Sequence, residues 1–227
     1  MSKFSLEAVD LGKQYQEGSG EPLHVLTGVN LTLHESDTIA IIGSSGSGKT
    51  TLMNILGGLD DASSGKVLLN GDDIATHSEK TRCTIRNKHL GFIYQFHHLL
   101  PEFSALENVA MPLLIGGIKP DEATSRSELM LGEVGLTHRL NHKPSELSGG
   151  ERQRAAIARA LIHRPSCVLA DEPIGNLDRK NAEQAIELIV ELNKSYKTAL
   201  VIVTHDLQIA GRMEQIYTIE DGVLAAQ

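Results

Sequence analysis

The sequence predicts an α/β fold: a P-loop core with a mostly parallel sheet beside a small antiparallel one. Three observations predict it. Gly43-Ser44-Ser45-Gly46-Ser47-Gly48-Lys49-Thr50 fits the phosphate-loop pattern G-x-x-x-x-G-K-[ST] at every fixed position. The short, largely apolar runs Thr38–Ile42, Cys167–Ala170 and Ala199–Val203 suit strands buried on both faces of a parallel sheet. Ser148, with Glu151 three residues on, opens a helical run that continues through Ile162 and stops before Pro165.

The elements follow in order. Phe4 to Leu11 and Val25 to Leu33 have strand character, and Gln16 to Pro22 reads as a polar, glycine-containing loop between them. Thr38–Ile42 leads into the phosphate loop, and Thr51–Leu56 after it can be helical. Gly65 to Gly71 looks like a strand between turns; with the first two strands it predicts the antiparallel sheet. Glu102 to Gly135 reads as helical stretches broken at Pro112, Gly116-Gly117 and Pro120. Ala185, Ile186, Leu188, Ile189 and Leu192 recur at helical spacing and should cover the sheet. Glu220-Asp221-Gly222-Val223 marks a tight hairpin between two final strands. There is no repeat, low-complexity tract or clear linker, so residues 1–227 read as one domain.

Each motif implies chemistry. The loop glycines let successive N–H groups converge on phosphate oxygens, Lys49 brings a point charge to the outer phosphates, and the Thr50 hydroxyl can reach a magnesium ion. A helix after the loop aims its positive end at the same anion. The competing reading, a flexible Gly/Ser turn, does not explain strand, lysine, hydroxyl and helix in sequence. Asp171-Glu172 ends an apolar run, which would deliver both carboxylates to the sheet edge where open α/β folds bind ligands. Asp171 suits magnesium, and Glu172 is placed to orient or deprotonate an attacking water. His205 follows Ala199–Val203 and would arrive at the same edge. Gly149 and Gly150 at a helix start cost on the order of 1 kcal/mol each relative to alanine. Bare N–H groups and the Ser148 hydroxyl aimed at a second anion would explain them better than the cap alone.

Composition narrows the function. The chain of 227 residues can bury one sizeable α/β core. Its net charge of −8, from 29 acidic and 21 basic side chains, argues against a nucleic-acid footprint. No stretch approaches the roughly 20 apolar residues of a membrane helix, and Met1 to Glu7 lacks a signal-peptide core. Cys83 and Cys167 have no metal-ligand spacing and imply no disulfide. His97-His98 near Glu102 raises a metal site, but nothing nearby completes one. Phe96, Leu99, Leu100 and Phe103 read instead as an apolar docking surface.

Ser148-Gly149-Gly150-Glu151-Arg152-Gln153 resembles the signature of the ATP-binding subunits of ABC transporters, and the resemblance extends along the chain. It implies the ABC ATPase fold, an NTPase with ATP and Mg2+ as cofactors, and a helical subdomain at about 96–145 that grips membrane partners. By resemblance, Gln95 is the glutamine that reaches magnesium and the attacking water, and Asp178 in Asn176-Leu177-Asp178 belongs to the D-loop. His205 is the switch histidine, and Tyr15 stacks on adenine; a tyrosine there would otherwise be simple packing. Thr51 joins residues 43–50 as nucleotide-binding. Two copies would close head to tail, with Ser148, Gly149 and Gly150 of one covering the γ-phosphate held by the other.

The stretch Gln95 to Ile115, and Gly175-Asn176-Leu177-Asp178 in place of Ser-Ala-Leu-Asp, resemble the branch that releases lipoproteins from the bacterial inner membrane. Macrolide-type exporters and cell-division ATPases resemble it too. This branch implies two integral membrane subunits, a heteromeric pair, with lipoproteins as indirect cargo. It places the chain peripherally on the cytoplasmic side of the inner membrane. A soluble ATPase acting on nucleic acid is the other reading, but Thr50 to Ser148 carries no sustained heptads and the chain has one ATPase unit.

Overall fold

The computed structural model describes residues 4–16 and 22–227. Along the chain run β1 (Phe4–Tyr15), β2 (Leu23–His34), β3 (Thr38–Ile42), α1 (Lys49–Leu56), β4 (Ser64–Leu69) and β5 (Asp72–Asp73). Next come α2 (Glu79–His89), β6 (Leu90–Tyr94), α3 (Ala105–Ile115), α4 (Pro120–Glu133) and α5 (Gly149–Leu161). The chain ends with β7 (Cys167–Asp171), α6 (Arg179–Tyr196), β8 (Ala199–Val203), α7 (Leu207–Ala210), β9 (Gln215–Glu220) and β10 (Val223–Ala226).

A six-stranded sheet, ordered β10-β9-β3-β8-β7-β6, forms the centre. Its strands are parallel from β9 to β6, and β10 closes the edge as an antiparallel hairpin. Alternation along β3, β7 and β8 explains why these runs are apolar throughout. Ala40, Ile42, Val168, Ala170, Leu200 and Ile202 pack with α3, α5 and α6 on one face. Ile39, Ile41, Cys167, Leu169, Val201 and Val203 pack with α1 and the second sheet on the other. Each fully buried Ile or Leu there contributes roughly 1.5–3 kcal/mol relative to exposure. The second sheet, ordered β2-β1-β4-β5, is antiparallel. The turn at Asp221 (φ 47°) and Gly222 (φ 75°) is the hairpin expected from the sequence, and Thr27 N donates to Gly222 O at 2.9 Å across to β2.

Several boundaries differ from the sequence reading. β1 runs past Leu11 to Tyr15, because shifts of register near Asp10 (φ 48°) let it bend and go on pairing. Of the expected loop from Gln16 to Pro22, residues 17–21 lie outside the described residues. Pro112 does not break a helix; it sits inside α3. Tertiary packing overrides proline's cost there: Val109, Ala110 and Leu113 are buried, and the Ser104–Glu107 capping box fixes the helix start. The breaks at Gly116-Gly117 and Pro120 do occur, at the end of α3 and the first residue of α4. α2 buries none of its residues and so offers no apolar stripe to read.

Candidate active site

β3 delivers the phosphate loop to the carboxyl end of the sheet. Gly48 is left-handed (φ 100°), and a Cβ there would stand 2.9 Å from Val25 O of β2, so the close approach of β2 requires glycine. No side chain caps α1, and its first N–H groups are therefore donors without intrahelical acceptors. Lys49 Nζ folds back to Gly43 O (2.8 Å) and Ser44 O (2.6 Å), which leaves one of its three donors. Ser47 Oγ is buried without a partner. This set of unmet donors fits an anion. The cleft is about 460 Å³ and is lined by Gly43, Ser45, Gly46, Gly48, Lys49, Thr50 and Thr51 together with Gln95, Asp171, Glu172 and His205.

β7 brings the carboxylates Asp171 and Glu172, and β8 beside it brings Thr204 and His205. Burial and the adjacent Glu172 charge push the Asp171 carboxyl above its usual range, against the pull of Lys49. A bound cation would reverse that. Asp171, the Thr50 hydroxyl and the Gln95 amide oxygen are hard oxygen donors on one cleft, a set that fits Mg2+. Glu172 takes a left-handed backbone (φ 45°), fixed by Glu172 N donating to Val203 O at 2.9 Å. Its side chain, 18% exposed, accepts from Thr204 Oγ1 (3.1 Å), His205 N (3.0 Å) and His205 Nδ1 (2.6 Å). The switch histidine expected from the sequence is thus hydrogen-bonded to the expected base.

Gln95, at the end of β6, is held by the loop after Glu172. Its Nε2 donates to Asn176 Oδ1 (3.4 Å), and Asn176 Nδ2 donates to Gln95 O (3.1 Å). A Cβ at Gly175 would lie 2.7 Å from Gln95 Nε2, so glycine at 175 lets the Gln95 side chain pack against this loop without shifting.

The remaining candidates stand apart from the cleft. Ser148, Gly149, Gly150, Asp178 and Tyr15 are not among its lining residues. Ser148 caps α5 in a full capping box: Glu151 N donates to its Oγ (3.2 Å), and Ser148 N donates to Glu151 Oε2 (2.8 Å). A hydroxyl that accepts in this way still has its own proton to donate. Those hydrogen bonds, with Arg139 adding to them, hold the Glu151 carboxyl at about 2. α5 also packs closely by Gly150 against the first turn of α6, since a Cβ there would meet Asn181 Oδ1 at 2.6 Å. Asp178 caps α6 by accepting from Asn181 N at 3.1 Å.

The expected docking segment divides. Phe96 is 70% exposed, and Leu100 and Phe103 are exposed too, but Leu99 turns in against the helical core. His97 is buried and His98 exposed with its ring on Tyr94, so the two imidazoles do not converge as metal ligands would. Both take left-handed backbones (φ 62° and 49°), and Arg159 of α5 clasps them, donating to His97 O (2.7 Å) and His98 O (2.6 Å). Sequence reasoning missed Arg159, the Asn176 hydrogen bonds to Gln95 and the Thr204 bond to Glu172. Each acts through tertiary contacts that leave no periodic or spacing signal.

Comparison with known proteins agrees with this geometry. A family model described as ABC transporter matches residues 26–175. The lipoprotein-releasing system ATP-binding protein LolD of Hahella chejuensis is 54% identical over 99% of this chain and 97% of its own length. LolD of Alcanivorax borkumensis is 56% identical over 96% of each chain. Among solved structures, the dimeric post-hydrolysis state of the ATP-binding cassette MJ0796 bound to ADP and Pi superposes with a TM-score of 0.88 at 35% identity, covering 98% of this chain and 97% of that one. CbiO1 of Clostridium perfringens, part of the cbiONQ transporter complex, gives 0.86 at 26% identity over 98% of this chain and 87% of that one.

Proposed function

The chain belongs to the ABC transporter family as an ATP-binding, ATP-hydrolysing subunit, and on that premise we propose that it powers release of lipoproteins from the bacterial inner membrane toward the outer membrane. The observation that carries the cargo assignment is more than half identity, over nearly the whole chain, to proteins named for that system. Among the described residues no helix is long and apolar enough to cross a membrane. On this reading the work of extraction falls to two integral membrane subunits, a heteromeric pair, which this chain serves from the cytoplasmic side. They dock beside a cleft of about 430 Å³ lined by Phe92, Tyr94, His98, Pro112 and Arg159, next to exposed Phe96, Leu100 and Phe103. The helical segment at about 96–145 supplies His98, Pro112 and the exposed Phe96, Leu100 and Phe103, while β6 and α5 supply Phe92, Tyr94 and Arg159.

In the reaction, the phosphate loop and Lys49 bind the triphosphate, and the base stacks on Tyr15. Thr50, Asp171 and Gln95 hold Mg2+, which neutralises developing phosphate charge when bound. Glu172 orients the attacking water and accepts its proton, and His205 fixes the Glu172 carboxylate. Ser148, Gly149 and Gly150 line no part of the cleft. This supports a head-to-tail dimer in which they, with Asp178, complete the partner copy's site. Depleting the protein should leave lipoproteins in the inner membrane, read by membrane fractionation. Normal sorting after depletion would remove the cargo assignment and leave the ATPase intact.

A further inference from the structure

Tyr15 stands 41% exposed at the end of β1, yet its ring is not free to turn. Its hydroxyl donates to Asp60 Oδ2 at 2.9 Å. Lys13 Nζ lies 4.7 Å from the ring centroid, and donates to Asp60 Oδ1 (2.8 Å) and Asp61 O (2.7 Å). One face of the ring is thereby covered by a cation that the same carboxylate holds in place. Asp60 is itself fixed to the end of α1, because Leu59 N (2.8 Å) and Asp60 N (3.3 Å) both donate to Asn54 O. The opposite end of that helix opens on the phosphate cleft, and Thr51 in its first turn lines the cleft and approaches the Tyr15 hydroxyl. Partial burial pushes the Asp60 carboxyl up, but hydrogen bonds from Lys13 and Tyr15 outweigh this and hold it below the usual range. The tether is therefore anionic at neutral pH.

We infer that Asp60 is a positioning residue for the nucleotide base: it locks Tyr15, with Lys13 on one face, so that the open face is set in advance for a purine whose triphosphate occupies the loop. The inference rests on the reading of Tyr15 as the base-stacking residue. Its physical content is preorganisation. A ring already immobilised loses little side-chain freedom on binding, and releasing it should weaken binding by about three- to tenfold. The phosphate end of the nucleotide would not sense the change. A carboxylate that merely neutralised Lys13 would make no such distinction.

The test compares binding of Mg-ATP and of inorganic triphosphate with magnesium to the full chain by calorimetry. Asp60→Ala and Tyr15→Phe each break the tether, and each should weaken ATP about three- to tenfold while leaving triphosphate affinity unchanged. The double variant should be no weaker for ATP than Asp60→Ala alone, since that variant has already lost the Tyr15–Asp60 bond that Tyr15→Phe removes. Tyr15→Phe keeps the test open if Asp60→Ala fails to fold. Tyr15→Ala should cost ATP roughly tenfold or more and again spare triphosphate. If Tyr15→Ala weakens ATP but neither tether variant does, the role of Asp60 is overturned and the stacking role of Tyr15 stands. If Tyr15→Ala has no effect, stacking falls and the inference with it. Equal losses for ATP and triphosphate in the tether variants would also overturn it, by showing a general disturbance of the cleft.

Discussion

Glu172 holds a backbone conformation that costs a side-chain-bearing residue roughly 1–2 kcal/mol, and both its oxygens are engaged by Thr204 and His205. Strain retained at a carboxylate beside a phosphate loop suits the proposed role of Glu172 in orienting the reacting water. Glu172→Gln preserves the shape and removes the basicity. Turnover should fall roughly a hundred- to thousandfold, with ATP still bound; near-normal turnover would take Glu172 out of the chemistry. Lys49 meets the phosphates in ground and transition states alike, so Lys49→Ala should abolish turnover and greatly lower ATP affinity as well. Unchanged affinity by calorimetry would contradict that role. The sequence made Asp171, Glu172 and Lys49 legible because motif and strand end coincide. It could not reveal that Thr204 and His205 converge on Glu172, since that contact exists only once β7 and β8 are side by side.

Among the elements, α5 shows how a signature serves structure and chemistry together. Its cap depends on the Glu151 carboxylate, held at about 2 against an ordinary 4.5. A folded-state value depressed in this way stabilises the protein above the unfolded value, and the contribution is lost as pH falls through the folded one. The urea midpoint of the wild type should therefore exceed that of Glu151→Gln at pH 7, with the gap closing between about pH 4.5 and 2. A gap that persisted at the acid end would refute the cap's electrostatic part. The docking segment gives a paired test. Leu99 packs on the core whereas Leu100 is exposed. Leu99→Glu should therefore destabilise the fold, since a buried unpaired charge is costly. Leu100→Glu should fold, bind ATP and lose capture of the membrane subunits; unfolding of Leu100→Glu would return it to the core. Strands β3, β7 and β8, the final hairpin and the α5 cap were readable from pattern alone, whereas β6 was not named as a strand. α2 was not, because it has no buried face, and Pro112 misled because packing of α3 outweighs one missing hydrogen bond.

At the scale of the whole molecule, the fold on the proposed reading gathers one half of a catalytic site in the cleft and places the other half away from it. The phosphate loop, Asp171, Glu172, Gln95 and His205 share a cleft; Ser148, Gly149 and Gly150 do not line it. On the proposed reading a second copy encloses the γ-phosphate, and this is the central claim. It is tested most directly by the size of the Glu172→Gln protein in solution with saturating ATP, measured by analytical ultracentrifugation alongside a Glu172→Gln/Gly149→Asp variant. Gly149 tolerates a Cβ, whose nearest neighbour would be Leu177 Cδ2 at 3.5 Å. An acid in the first turn also favours the helix, so the second variant should fold while repelling the partner's phosphate. The expected result is an ATP-dependent dimer for Glu172→Gln, and a monomer that still binds ATP for the double variant. A Glu172→Gln protein that stays monomeric with ATP bound, or a dimer that forms equally well with Gly149→Asp, would contradict the head-to-tail site.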